Sequence, residues 1–275
     1  MSPFVSRFVG HSPCMKIATW NVNSVRSRLT HVTDWLAEHP VDVLCLQETK
    51  VVDQDFPHEA IKAVGYQAEI SGQKSYNGVA LLSQQPLQDV SRGFTPIVGA
   101  AAVGDLDDQK RVITGMLDGV RIVNLYVPNG SSIGSEKYEY KMRWLTLLKT
   151  YLEKLLADHD ALLVCGDFNI ALEDRDIHDP EGKETHIMSS PKEREMLTEV
   201  LSVGLKDAFR KFTDEGGHFS WWDYRAASFR RNRGWRIDHH YLSPKLYDRA
   251  QSCVIDVEPR RREKPSDHTP VIVEI

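Results

Sequence analysis

The strongest constraint on this chain is a repeated join, in which a short apolar run suited to a strand ends on a carboxylate, an amide or an imidazole. Strand-like runs lie at 16–22, 41–47, 66–71, 78–83, 111–117, 121–127, 161–167, 236–242 and 271–275, each short and rich in β-branched or aromatic residues. Asp118-Gly119-Val120 separates two of these runs and reads as a hairpin turn. Helical patterns stand between the others. Leu29, Val32, Trp35 and Leu36 recur at helical spacing, and residues 136–158 carry a stripe of Tyr138, Met142, Leu145, Leu148, Leu152 and Leu155. Ser190-Pro191-Lys192-Glu193 combines an N-cap, a first-turn proline and a capping-box glutamate, and predicts a helix from there to Leu201 that stops before Gly204. No Gly/Ser-rich linker divides the pattern, so residues 15–275 are expected to form one α/β domain with helices outside packed sheets.

No apolar stretch approaches the roughly 20 residues that span a bilayer, so the chain is read as soluble and without a membrane partner. Cys14, Cys45, Cys165 and Cys253 are widely spaced, with no C-x-x-C pair. Cys45 and Cys165 lie within apolar runs and suit buried positions, which points to a reducing, cytoplasmic setting rather than a disulfide or zinc framework. Residues 1–14 show no periodicity and too broken an apolar content for a secretory segment; they are expected to be a disordered extension or a start-site ambiguity before Met15. The formal net charge is −5, yet a nucleic-acid face needs local charge rather than a global surplus. Arg225, Arg230, Arg231, Arg233 and Arg236 crowd one segment, and Arg260, Arg261, Arg262 and Lys264 another. Either run could be a solvated loop or a binding surface.

Six strand ends carry the chemistry: Asn21-Val22-Asn23, Gln47-Glu48, Tyr126-Val127-Pro128-Asn129, Asp167-Phe168-Asn169, Ile237-Asp238 and Ser266-Asp267-His268. A single such end is an ordinary turn or cap. Several at one end of a sheet can converge on the crevice where α/β folds bind ligands. Carboxylates and amides without cysteine favour a hard cation such as Mg²⁺ or Mn²⁺. A carboxylate flanked by asparagine can draw a proton from water, and an Asp–His pair can hold an imidazole in one tautomer. These are the parts of phosphoryl transfer.

The segments TWNVNSVRSR, CLQETK, NLYVPNG, CGDFNIA, FSWWDYR, NRGWRIDHHYLS and SDHTPV, in this order and spacing, resemble exonuclease III and the class II abasic-site endonucleases of the endonuclease/exonuclease/phosphatase superfamily. The resemblance runs from Lys16 to Ile275. It implies a four-layer α/β sandwich, two packed mixed β-sheets flanked by helices, with the site at one end. It implies a Mg²⁺-dependent phosphodiesterase, with Mn²⁺ as a substitute, acting as a monomer on double-stranded DNA. The cut falls 5′ to an abasic site, and nucleotides or blocking groups are removed from 3′ ends. By the same resemblance Glu48 is the principal metal ligand, with Asn21 beside it and Asp267 binding metal directly or through water. Asn23 stands where some relatives carry Asp. Asp167 positions or deprotonates the attacking water, with Asn169 alongside. His268, oriented by Asp238, stabilises the phosphorane, and Tyr126 contacts the phosphate or assists the leaving group. Asn129 is either a turn former or a substrate contact.

Trp221 and Trp235 match residues that wall a pocket for a flipped-out, base-less sugar, where extrusion costs least. Arg230, Arg231 and Arg233 lie between them and are expected to contact DNA phosphates. Lys137 and Lys141 either add phosphate contacts or form a solvated helix face. Two other readings share parts of the pattern. Another superfamily branch, such as a sphingomyelinase, an inositol-phosphate phosphatase or a non-specific deoxyribonuclease, shares the Asn, Glu, Asp-x-Asn and Asp-His core but not the WWDYR and NRGWRID segments. A DNA-binding protein that has lost catalysis would not need competent residues at every position.

Overall fold

The computed structural model describes residues 14–275; the expectation of an N-terminal extension concerns residues that, Cys14 apart, lie outside it. The strands are β1 (Lys16–Asn21), β2 (Val43–Gln47), β3 (Gln67–Ser71), β4 (Val79–Ser83), β5 (Gln88–Arg92), β6 (Val112–Leu117), β7 (Val120–Tyr126), β8 (Leu162–Asp167), β9 (Lys206–Asp207), β10 (Asp238–Leu242), β11 (Ser252–Ile255) and β12 (Val271–Glu274). The helices are α1 (Leu29–Glu38), α2 (His58–Ala63), α3 (Thr95–Val98), α4 (Ala100–Val103), α5 (Glu136–Asp158), α6 (Pro191–Leu201), α7 (Ala208–Phe212) and α8 (Pro244–Arg249).

Two six-stranded mixed sheets form, in the orders β11-β12-β1-β2-β4-β3 and β5-β6-β7-β8-β10-β9. Each has one parallel pair at its centre, β1 with β2 and β7 with β8. A parallel pair needs a crossover, and α1 and α5 supply it. Alternation of side chains along each strand then builds the layers. Ile17 of β1 and Cys165 of β8 share the cluster between the sheets. Trp20 and Leu44 face outward onto Trp35 and Leu36 of α1. Val164 and Leu125 face outward onto Trp144, Leu148 and Tyr151 of α5. The result is a four-layer α/β sandwich. Beneath the strand ends two buried amides clip the sheets together: Gln47 Nε2 donates to Asn124 Oδ1 at 2.7 Å, and Asn124 Nδ2 donates to the carbonyls of Leu46 and Ala80 at 2.9 Å each.

The expected hairpin is tighter than its sequence suggested, because Val120 pairs with Leu117 inside the ladder. Asp118 and Gly119 form the turn alone, both at positive φ (47° and 79°), as a two-residue turn of the primed type requires. The capping box of α6 is present, with the Ser190 side chain accepting from Glu193 N and the Glu193 carboxylate from Ser190 N. Cys45 and Cys165 are buried and every described cysteine is free. No helix among the described residues is long and apolar enough to cross a membrane.

Candidate active site

The parallel strands deliver their last residues side by side, Asn21 in register with Gln47 and Tyr126 with Asp167, and antiparallel β10 sets its first residue, Asp238, opposite Asp167. Asp167, buried, accepts from Asn21 Nδ2 (2.8 Å), Asn169 N (2.9 Å) and Asn169 Nδ2 (3.3 Å). Gly166 makes this approach possible, since its φ of 143° lies outside the ordinary range and a Cβ there would strike the Leu125 carbonyl. Asn169, at φ 49°, donates to the Val127 carbonyl (3.0 Å) and accepts from Asn129 Nδ2 (3.0 Å). Four polar side chains from three strand ends therefore form one connected network.

His268 closes the network on the far side. Its Nδ1 lies 2.9 Å from Asp238 Oδ2 and its Nε2 3.7 Å from Asp167 Oδ2. Ser220 Oγ donates to Asp238 at 2.6 Å and fixes that carboxylate. Burial works against protonating His268, but Asp238 and Asp167 outweigh it and raise the imidazole to about 10. Burial also drives Asp167 upward; Asp238 adds to this, the His268 charge opposes it, and the carboxyl rises to about 7.

Glu48 stands just past β2 at φ 51°. The turn packs on Gly78, whose φ is 89° and where a Cβ would collide with Thr49 Oγ1. Tyr126 Oη donates to Glu48 Oε1, Asn21 Nδ2 approaches the same oxygen at 3.4 Å, and Lys50 Nζ lies 2.9 Å from Oε2. Burial pushes the Glu48 carboxyl up, yet Lys50, Tyr126 and His268 together hold it below its ordinary value. Asp267 accepts from Trp221 Nε1 (3.0 Å) and Asn23 Nδ2 (3.1 Å). Arg111 stacks over the Tyr126 ring, 4.5 Å from its centroid.

Comparisons with known proteins agree with this geometry. A description of the endonuclease/exonuclease/phosphatase family matches residues 18–268. The chain belongs to that family. Within it, exodeoxyribonuclease III of Haemophilus influenzae is 35% identical over 272 residues, covering 94% of this chain and 99% of that protein. The 3′–5′ exonuclease NExo of Neisseria meningitidis superposes with a TM-score of 0.90 at 41% identity, covering 95% of this chain and 99% of that one. An AP endonuclease from Archaeoglobus fulgidus gives 0.88 at 38% identity, covering 94% and 98%. As a family member of the exodeoxyribonuclease III branch the chain is a hydrolase, and its sandwich is the family fold.

The segment that interleaves tryptophans with arginines is more divided than expected. Trp221 and Trp235 pair through their backbones and border a cavity of about 400 Å³. Arg233 borders the same cavity, whereas Arg230 borders a different one of about 720 Å³ with Trp222, Phe229 and Arg260; Arg231 is exposed and borders neither. Arg236 does not belong to a basic surface at all: it is buried, with Nε 2.7 Å from Asp176 and Nη2 2.7 Å from Asp207. The second basic run is also largely committed. Arg260 is buried beneath aromatic rings, Arg261 pairs with Glu258, and Arg262 pairs with Asp34 and Glu38 of α1.

The expectation for Lys141 fails on both of its branches, since this lysine is fully buried against Glu193. Lys137 is exposed beside a cavity of about 650 Å³ that also touches Tyr126 and Asn129. Three residues that sequence reasoning passed over, His178, Lys183 and His186, line the same smaller cavity as Trp221 and Trp235. They sit in an irregular loop with no periodicity to mark them. Lys50 was also missed, although its place two residues after Glu48 in CLQETK was a usable signal.

Proposed function

We propose that this nuclease is a magnesium-dependent DNA phosphodiesterase of base excision repair that incises 5′ to abasic sites and trims 3′ ends. The observation that carries the reading is the convergence of Glu48, Asn21, Asp167, Asn169, Asn129 and the Asp238–His268 pair in one network of strand ends. The oxygen donors of Glu48, Asn21 and Asp267 suit a hard cation. Lys50 sets a positive charge on Glu48, which fits a carboxylate built to meet one. When bound there, the metal would polarise a phosphate oxygen and neutralise developing charge. Asp167 then takes the proton of the attacking water at its carboxylate, and Asn169 orients that water or a phosphate oxygen. His268, held through Nδ1 by Asp238, presents Nε2 as a cationic donor to the charge that builds on the phosphorane. Tyr126 directs its hydroxyl toward Glu48 and the phosphate. The attack is in line and in one step, without a covalent enzyme intermediate. Trp221 and Trp235 receive the base-less sugar, Asn129 and the arginines of the 230–233 loop contact substrate, and the catalytic unit of residues 15–275 works as a cytoplasmic monomer.

One observation favours weighting the activity toward 3′ ends. Lys183, His178 and His186 line the tryptophan cavity with polar groups, and the Neisseria relative has also been solved as a 3′ phosphatase bound to a product DNA hairpin, at 41% identity. A gel assay of an abasic duplex against a 3′-recessed duplex, with Mg²⁺ and with EDTA, tests both. Cleavage of each duplex with Mg²⁺ and none with EDTA is expected. An intact abasic duplex beside a trimmed 3′ end would restrict the function to end processing, and metal-independent cleavage would overturn the reading.

A further inference from the structure

Lys141 points from α5 into the space behind the two asparagine turns, and its side chain has no exposed surface. The ammonium meets three acceptors: the backbone carbonyl of Asn129 at 3.2 Å, the backbone carbonyl of Asn169 at 2.9 Å and the carboxylate of Glu193. An ammonium has three N–H bonds, so the set is complete. Glu193 is itself fixed, because its two oxygens also accept from Met188 N, Ser190 N and Ser190 Oγ. The pair thus joins α5, the first turn of α6 and both asparagine loops at one buried point.

Asn129 and Asn169 are also the residues whose side chains bond to each other and, through Asn169, to Asp167. A buried ion pair is a poor device for stability alone, since well-packed apolar groups of the same volume often do as well or better. It is an effective way to fix geometry, because each donor direction selects one backbone position. We propose that Lys141 is a positioning residue: it pins the carbonyls of Asn129 and Asn169 so that their amides and the Asp167 carboxylate keep one fixed spacing around the attacked phosphate. The proposal rests on the reading of Asp167 and Asn169 as the groups that handle the attacking water. Lys141 touches no substrate, so its contribution belongs to kcat and not to DNA affinity.

Removing only the lysine would leave the Glu193 carboxylate buried without a counter-charge, a change that commonly unfolds a protein. The test therefore uses K141M/E193Q, in which glutamine can still serve the capping box, and K141R, which keeps a cation and several donors. Both are compared with the parent on an abasic duplex at saturating Mg²⁺, with D167N as the reference and circular dichroism to establish folding. Displacement of catalytic groups by an ångström costs about 100-fold. The expected result is a folded K141M/E193Q protein with kcat about 10- to 100-fold lower, KM near the parent value, and most of the loss recovered in K141R. A folded double variant with parental kcat, or one whose loss lies wholly in KM, would overturn the proposal while an inactive D167N left the site reading standing. A fully active D167N would overturn both.

Discussion

Glu48 and Asp167 stand at the C-terminal ends of the second strands of the two parallel pairs, one just past its strand and the other within it. Asp167 is the last residue of β8 and is in register with Tyr126 of β7, whereas Glu48 follows one residue after Gln47, the last residue of β2 and the register partner of Asn21. Their surroundings act in opposite directions. Glu48 retains 19% side-chain exposure and is held ionised by Lys50 and Tyr126. Asp167 retains 1%, meets no cationic side chain nearer than His268 at 3.7 Å among the described residues, and is raised to about 7. Two carboxylates whose environments separate their protonation take different roles. The accessible, ionised one suits a metal, and the buried, proton-ready one suits water. Matching backbone topology supplies the two positions, and the neighbouring side chains decide what each does.

Replacing Asp167 by Ala should break this division most severely. General-base catalysis contributes up to about 10⁴-fold, so Mg²⁺-dependent cleavage of an abasic duplex should fall by about that factor, with DNA binding in a mobility-shift assay largely kept. Full cleavage by Asp167→Ala would return the chain to a different mechanism. Loss of binding together with cleavage would mean that Asp167 holds substrate rather than water.

The rim should respond differently from this buried centre. Changing Arg230, Arg231 and Arg233 together to Ala should weaken DNA binding and flatten its dependence on salt, by about 0.9 in logarithmic slope for each phosphate that the loop no longer neutralises. Because Arg233 alone of the three borders the tryptophan cavity, its single substitution should reproduce the part of the effect that is specific to abasic DNA. An unchanged slope would remove this loop from the interface.

The smallest effect concerns the frame behind Asp238. Burial opposes ionisation of Asp176, but Arg236 and Arg210 outweigh it and lower the carboxyl to about 2, from 3.8 in a free side chain. A depressed folded-state pKa gives stability that is present above about pH 4 and lost as pH falls through 2, worth about 2 kcal/mol at full extent. Urea midpoints between pH 5 and pH 2 should therefore fall more steeply in the parent than in Asp176→Asn. Parallel curves would show that this pair does not report on acid stability.

What the sequence disclosed follows from the same division between centre and rim. The strand ends were readable because Asp167, Asn169 and Glu48 follow apolar runs that could hardly be anything but buried strands. The long helix and the Ser190 capping box were readable because their signals are local. The strands that escaped notice, β5, β9 and β11, are three of the four sheet edges. Edge strands bury little and carry polar residues, as Gln88–Arg92 does, so alternation fades there. Lys141 and Arg236 were misread for a different reason. Each looks like a surface cation in its own segment, and only partners far along the chain, Glu193 for one and Asp176 and Asp207 for the other, neutralise it inside the fold. The tryptophan cavity was half legible for the same reason, since His178, Lys183 and His186, which also line it, come from a segment with no pattern of its own.

The division of labour between the two carboxylates is tested most directly by Mg²⁺ titration calorimetry on Glu48→Gln and Asp167→Asn, each in complex with an uncleavable abasic duplex. Loss of a coordinating partner weakens metal sites by about 10- to 100-fold even when the partner acts at one remove, so Glu48→Gln should lose Mg²⁺ affinity by at least that much. Asp167→Asn should bind Mg²⁺ nearly as the parent does and still fail to cut. Asp167, Asp238 and His268 also lie close enough to hold an ion, with ligand atoms within 4.8 Å of one another. Parental Mg²⁺ affinity in Glu48→Gln with a large loss in Asp167→Asn would move the metal to that cluster and contradict the account.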